Sequence, residues 1–550
     1  MQRFRRGRDE RLVYHAELAS STSHSDSSSG STQLQPQFLA LRWRSLGKYG
    51  NGQPMQSLDV CYGDGSQKQI AYTLLKDTPN RPRSGRSASS ARQPHIDQIA
   101  AWMKLCETTH QTCQANIARQ TAHLAHPARL LDLRPDDVSP GNVRLIPYAG
   151  DEARSNFTFR YAALSYRWGS RPHHSTITVS NISDRMTEIT VDEAFPKTFR
   201  DSISLCRDMA IRYLWIDALC IIQPTLSDDT DWQEQSAIMG YIYANAAITI
   251  AASGAESFEV GLYPPKGPFE LAPPSCALFP SDQTELGLYL QVEAPDWVAS
   301  VAESPLQTRA WVLQERIMST RLIHCSQHAI FWECAELRAS EFEPDGTGVG
   351  GLLGCSSMIP TTSGTGNEAE IRESLMHAWG SIVSDYSPRH LSVDADHLPA
   401  ISAIAQQVAD MVGEKYIAGL WEEDLLIELL WLGIHKNPSH RRRAVEVEPS
   451  KRGRMSGDSP LSASQSVGDD PACFVAPSWC WASVMGWVRP GSLGPHQCPA
   501  ADIVRVSVKP QFQGNAFGRA AAGGYLELSA RLRHNVRLQE LETTEEQPPR

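Results

Sequence analysis

Three tryptophan–acid pairs carry the residue types and spacing that could do chemistry: Trp215 with Asp217, Trp311 with Glu315, and Trp332 with Glu333. A carboxylate in an apolar stretch is costly unless a hydrogen bond or a cation answers it, and such groups have shifted proton affinities that catalysis can use. Asp217 poses the question most sharply, because RYLWIDALCIIQ (212–223) is otherwise almost wholly apolar at its centre. Residues two apart on a strand share a side, which would place Trp215 with Asp217. Residues four apart on a helix stack, which would place Trp311 with Glu315. The same acids could be purely architectural, held by backbone N–H groups or by an arginine such as Arg167, Arg309 or Arg316. A second constellation is Cys106, His110 and Cys113 in IAAWMKLCETTHQTCQ, at i, i+4 and i+7. Three soft ligands on one helix face could hold zinc, but a fourth is needed and none is adjacent, so the expectation is a buried helix stripe and no metal site.

Stepping outward, the elements that must position these residues follow from periodicity. YAALSY (161–166) reads as a strand, and PKTFRDSISLCRDMA (196–210) as a helix with Phe199, Ile203, Cys206 and Ala210 on its stripe, with Pro196 and a Thr198/Asp201 capping box as competing start signals. YLWIDALCII (213–222) reads as a central strand apolar on both faces. A second capping-box signal, Asp231 with Glu234, opens a helix carrying Trp232, Met239, Ile242 and Ala246; AITIAAS (247–253) is then a strand, TRAWVLQERIMS (308–319) a helix, and RLIHC (321–325) with AIFWEC (329–334) a hairpin. Strands alternating with helices predict an α/β domain built on an open, mostly parallel sheet, in which ligands gather at the carboxyl ends of the strands.

The flanks are read more coarsely. The division expected is a variable, partly disordered region over 1–95, a helical lead-in over 96–154, the α/β domain over 155–335, a flexible Gly/Ser-rich linker over 336–370, and an α+β region over 371–550 with a disordered insert at 437–470. FLALRWRS and LDVCYG in the first region look like short strands. In the last, Ile371, Leu375, Trp379 and Ile382 mark one helix, Leu398, Ile401, Ile404 and Val408 a second, and EDLLIELLWLGI (423–434) a third; PSWCWASVMGWV and YLELSARL suggest strands.

A net charge of −11 disfavours bulk nucleic-acid binding, and no apolar run approaches the ~18 residues of a membrane span. The N-terminus MQRFRRGRDER is basic with no apolar segment behind it, so the expectation is a cytoplasmic chain with reduced cysteines. HRRRAVEVEPSKRGR (440–454) has the look of a nuclear-localisation patch, which keeps a nuclear location open. Familiar signatures such as G-x-x-x-x-G-K-[ST], H-E-x-x-H and G-x-S-x-G are absent, and the G-x-G-x-x-G at Gly346, Gly348 and Gly351 lies in a glycine-rich loop with no helix pattern after it.

YAALSYRWG, FPKTFRDSISLCRDMAIRYLWIDALCIIQ, DWQEQSAIMGYIYANAAITIAAS and RAWVLQERIMSTRLIHC resemble, in order and spacing, the motifs of the fungal heterokaryon-incompatibility (HET) domain. Pro224 after Gln223 departs from the acid usual there in that family. The resemblance implies an intracellular effector of non-self recognition and cell death, with protein partners in incompatibility signalling. The HET fold is in turn distantly similar to TIR domains, of flavodoxin-like architecture, some of which cleave NAD. That second resemblance makes Glu315 the catalytic carboxylate, although Val312 stands where the TIR pattern has cysteine. It makes Ser165, Tyr166, Arg167, Trp168 and Asp217 the residues around a nucleotide: rings to stack, a guanidinium for the pyrophosphate, and Asp217 as an orienting group. NAD would be a substrate, and no cofactor is called for. The alternative is a non-catalytic module that works by self-association.

Overall fold

The computed structural model describes residues 93–120, 125–148, 159–169, 176–225, 228–263, 295–327, 329–348, 368–434, 475–484, 486–491 and 501–530, together with the strand segments 13–16, 39–48, 54–61, 67–76, 275–277 and 288–292. The linker expected at 336–370 falls largely outside these residues, and the insert 437–470 falls wholly outside them.

The centre of the protein is a nine-stranded sheet. Its strands are β1 (Arg129–Asp132), β2 (Arg144–Pro147), β3 (Tyr161–Ser165), β4 (Tyr213–Trp215), β5 (Ile248–Ala251), β6 (Arg321–Cys325), β7 (Ile330–Cys334), β8 (Leu337–Ser340) and β9 (Thr347–Gly348). They lie in the order β9-β8-β7-β6-β5-β3-β4-β1-β2. β4, β3, β5 and β6 are mutually parallel, and the strands outside this core pair antiparallel. All five residues of β3 are buried, as expected of a strand covered on both faces. Taken in chain order, the parallel core has the first strand between the second and the third, which is the flavodoxin-like arrangement. The chain leaves β3 toward β4 on one side and leaves the neighbouring β5 toward β6 on the other, so the topological switch point falls at the carboxyl ends of β3 and β5, beside Ser165.

Helices supply the covering layers: α1 (Gln93–Thr109), α2 (Gln111–Gln120), α3 (Lys197–Asp208), the single turn α4 (Asp217–Cys220), α5 (Thr230–Ala237), α6 (Met239–Asn245), α7 (Ala310–Met318), α8 (Glu368–Tyr386) and α9 (Ser402–Val412). α7 is shared between two cores. Leu313 and Ile317 pack with Trp379 and Ile382 of α8 and with Ile404 of α9. The Gln314 side chain accepts a hydrogen bond from Ala403 N at 2.8 Å, supplying from α7 a cap that α9 lacks in its own sequence. α6 meets α9 so closely that a Cβ on Gly240 would lie 2.2 Å from the Ala403 methyl, which only glycine avoids.

Several sequence expectations change. The strand read over 213–222 ends at Trp215, and Asp217 opens a helical turn, so Trp215 and Asp217 do not share a strand face. Thr198 and Asp201 form no capping box: Thr198 Oγ1 accepts from Gly261 N, and Asp201 accepts from Leu262 N and Lys197. Asp231 is taken by Arg129 and by Ile222 N, and the helix it was expected to open breaks at Ile238. The helix expected over 423–434 is one turn, Leu425–Glu428, followed by a strand, Leu432–Ile434. The strands read at FLALRWRS and LDVCYG are present as Leu39–Lys48 and Pro54–Cys61, in a separate antiparallel sheet.

The hairpin β6–β7 carries the third tryptophan–acid pair. Glu333 is fully buried and bonded by Arg316 Nε and Nη2, each at 2.9 Å, by His324 Nε2 at 2.9 Å and by Arg338. Burial alone would raise its pKa, but the Arg316 charge and the His324 contact hold it well below the usual carboxylate range. The network is architectural. Glu333→Ala strands Arg316 and should cost about 3–5 kcal/mol of unfolding free energy. Urea denaturation of the full chain checks this; a loss below about 1 kcal/mol would contradict it.

Candidate functional site

The carboxyl end of β3 delivers Ser165 and then Tyr166, Arg167 and Trp168. Ser165 and Tyr166 are buried, at 2% and 3% exposure, and the next two residues are half-buried. The Tyr166 ring meets Phe199 of α3 edge-on at 5.1 Å and lies parallel to Trp168 at 6.5 Å. Trp168 Nε1 donates to Asp217 Oδ2 at 2.9 Å, and Ala218 N donates to Asp217 Oδ1 at 2.7 Å. Asp217 is thus fixed at the first turn of α4 with one oxygen turned toward the β3 loop.

Glu315 comes from the middle of α7 and is 6% exposed. Its carboxyl faces the Ser165 and Tyr243 hydroxyls, with Arg309 and Asp217 near enough to act on it electrostatically. Burial raises its pKa to about 7; the Arg309 charge and the two hydroxyls pull it down, and Asp217 pushes it up. The Tyr166 phenol is held well above its ordinary value, first by burial and then by Asp217. Tyr243, whose hydroxyl donates to Leu164 O at 3.0 Å, closes the other side beside Trp215, at 5.5 Å edge-to-face. The Tyr166 hydroxyl and Glu315 Oε2 are both buried, and among the described residues neither makes a hydrogen bond of ordinary geometry, although Asp217 lies beside the phenol and two hydroxyls beside the carboxyl. Both atoms are thus incompletely satisfied, so the cluster has spare hydrogen-bonding capacity.

Ser165, Tyr166, Trp168, Asp217 and Glu315 are therefore brought together. Arg167 is half-buried, and no contact among the described residues ties it to the cluster. The guanidinium that acts there is that of Arg309, whose Nη1 donates to Tyr166 O. Sequence reasoning had Arg309 only as one of three arginines that could pair an acid; its position just before α7 is the signal that could have singled it out. Trp311 turns away from Glu315: its ring packs edge-on against Trp232 at 6.4 Å and its indole serves Asp396. A cavity of about 480 Å³ lies elsewhere, between Tyr241, Gln406 and Phe517, and carries no part of this chemistry.

The family model for heterokaryon incompatibility protein (HET) matches residues 161–315. The chain carries a HET domain. The matched segment begins at the first residue of β3 and ends at Glu315, so the residues of the cluster all come from within it. The match supports a heterokaryon-incompatibility-type function. No curated protein and no solved structure matches the chain. Among the described residues no helix is long and apolar enough to cross a membrane.

The Glu315 pKa has a consequence for stability. A carboxyl raised from 4.5 to about 7 on folding contributes stability that is complete below its unfolded pKa and is lost as pH rises through the folded one. The difference is on the order of 3 kcal/mol. Glu315→Gln, which stays neutral, should gain on the wild type by up to that amount between about pH 5 and pH 8.5 in urea denaturation. A variant-to-wild-type difference that does not change with pH would contradict the assignment.

Proposed function

We propose that the HET domain is the effector of a non-self recognition response leading to cell death, and that it works by hydrolysing the N-glycosidic bond of NAD or a related dinucleotide. The observation that carries this reading is the meeting of Glu315 with Ser165, Tyr166 and Asp217 at the carboxyl end of β3, where sheets of this order hold their ligands. In the reaction, the bond between ribose C1′ and nicotinamide breaks, and its electron pair leaves with the neutral nicotinamide. Positive charge develops on the ribose, and an ionised Glu315 beside it stabilises that charge. Water then adds at C1′ and releases a proton. Asp217 orients Trp168 against the β3 loop, and the Tyr166 and Trp168 rings offer stacking faces to the bases. Arg309 is the cation nearest the pyrophosphate in such a pose, in place of Arg167.

A second reading has an observation of its own. Glu315 is 6% exposed and Tyr166 3%, so the cluster can equally serve as the buried heart of a module that signals by self-association. Incubating the full chain with NAD and measuring free nicotinamide separates the two. The hydrolase reading expects release that climbs as pH rises through about 7, where Glu315 ionises, and a fall of about 10²–10³-fold in Glu315→Gln. Concentration-dependent assembly by light scattering, with no nicotinamide released, would overturn it in favour of the scaffold.

A further inference from the structure

Cys106, His110 and Cys113 were read as a helix stripe lacking a fourth ligand. The fold supplies the fourth: Cys334, the last residue of β7. One ligand atom from each of these four residues lies within 4.8 Å of the others, and all four side chains are buried. A continuous helix would separate Cys106 and Cys113 by about 10 Å along its axis. The chain instead breaks at His110, between α1 and α2, and the break folds the three side chains onto one point. His110 Nδ1 is 3.3 Å from Cys334 Sγ and 3.9 Å from Cys113 Sγ. In a tetrahedral site with Zn–S of about 2.3 Å and Zn–N of about 2.0 Å, ligand atoms stand about 3.5–3.8 Å apart. The cysteines are free thiols and not disulfides.

We propose that Cys106, His110, Cys113 and Cys334 form a structural zinc site. Three thiolates, one neutral imidazole and four protein ligands with no open position match structural zinc rather than a catalytic or redox metal. The surroundings answer the site's charge. Zn²⁺ with three thiolates carries one net negative charge, and the buried Arg321 places Nε 3.2 Å from Cys106 Sγ while its Nη1 donates to Ala247 O. Glu336 Oε1 accepts from Thr112 N at 2.5 Å, so the turn after Cys334 is latched to the start of α2. The Trp102 and Trp332 rings, 6.0 Å apart, pack the same junction.

The ion's place in the chain gives its role. Three ligands precede residues 161–315 and the fourth follows them, so the zinc clasps together the two ends of the segment that holds the HET match. Cys334 adjoins Glu333, whose carboxylate holds Arg316, the residue after Glu315. The clasp therefore bears on the helix that presents Glu315, whether that residue hydrolyses a dinucleotide or not.

The test is elemental analysis of the purified full chain, followed by replacement of the metal with Co²⁺. The expected result is one equivalent of zinc per chain. The cobalt form should show the strong visible absorption of a tetrahedral ion and an ultraviolet thiolate-to-cobalt band. His110→Cys should keep one equivalent and shift the cobalt spectrum, whereas Cys334→Ser should lose most of the metal. Removing zinc with a chelator should lower the thermal midpoint of the wild type. Zinc below about a tenth of an equivalent after expression in zinc-supplemented medium, with no cobalt spectrum and three reactive or disulfide-paired thiols by mass, would overturn the proposal.

Discussion

Burial of the Glu315 carboxyl beside Ser165 sets the electrostatic problem around which the HET domain is arranged. The group has lost its water, and what replaces it is partial: two hydroxyls, the Arg309 charge, and the opposing charge of Asp217. Full pairing, as at Glu333, would fix the carboxylate ionised and inert. Incomplete pairing leaves Glu315 poised near neutrality. The contrast between two buried glutamates, one on α7 and one bonded to the same helix through Arg316, separates a group that holds the fold from a group that can work.

That poise depends on elements far apart in sequence keeping register. β3 must end at Ser165 between β4 and β5, which its parallel pairing with both enforces. α7 must hold Glu315 toward the sheet while its other side packs on α8 and α9, and Gln314 locks it to Ala403. At the far side of the sheet, the junction of α1 and α2 meets β7 at the four metal-ligand side chains. The domain is thereby gripped on both sides, by the C-terminal helices and by the clasp.

Much of this was legible in the chain. β3, α3, α7 and the β6–β7 hairpin follow from periodicity, because each buries one face or two over its whole length. Asp217 was misread because an apolar run such as WIDALCII fits a strand and a helical turn equally; the turn wins because Asp217 there accepts from Ala218 N and from Trp168. The capping boxes failed because tertiary partners claimed their acids, Leu262 N and Lys197 for Asp201, Arg129 for Asp231. Arg309 was overlooked in favour of Arg167 because adjacency in sequence says nothing of which guanidinium faces inward. Cys334 was invisible as a ligand for the same reason: its partners lie before the whole matched segment, and only the sheet brings them to it.

The central claim is that folding holds the Glu315 carboxyl half-ionised near neutrality. Isotope-edited infrared spectroscopy of the ¹³C-glutamate-labelled full chain, differenced against Glu315→Gln, reads that one group directly. The account predicts a carboxyl band that converts to carboxylate with a midpoint near 7. A midpoint close to the ordinary 4.5 would show the group to be solvated or fully paired, and would contradict the account.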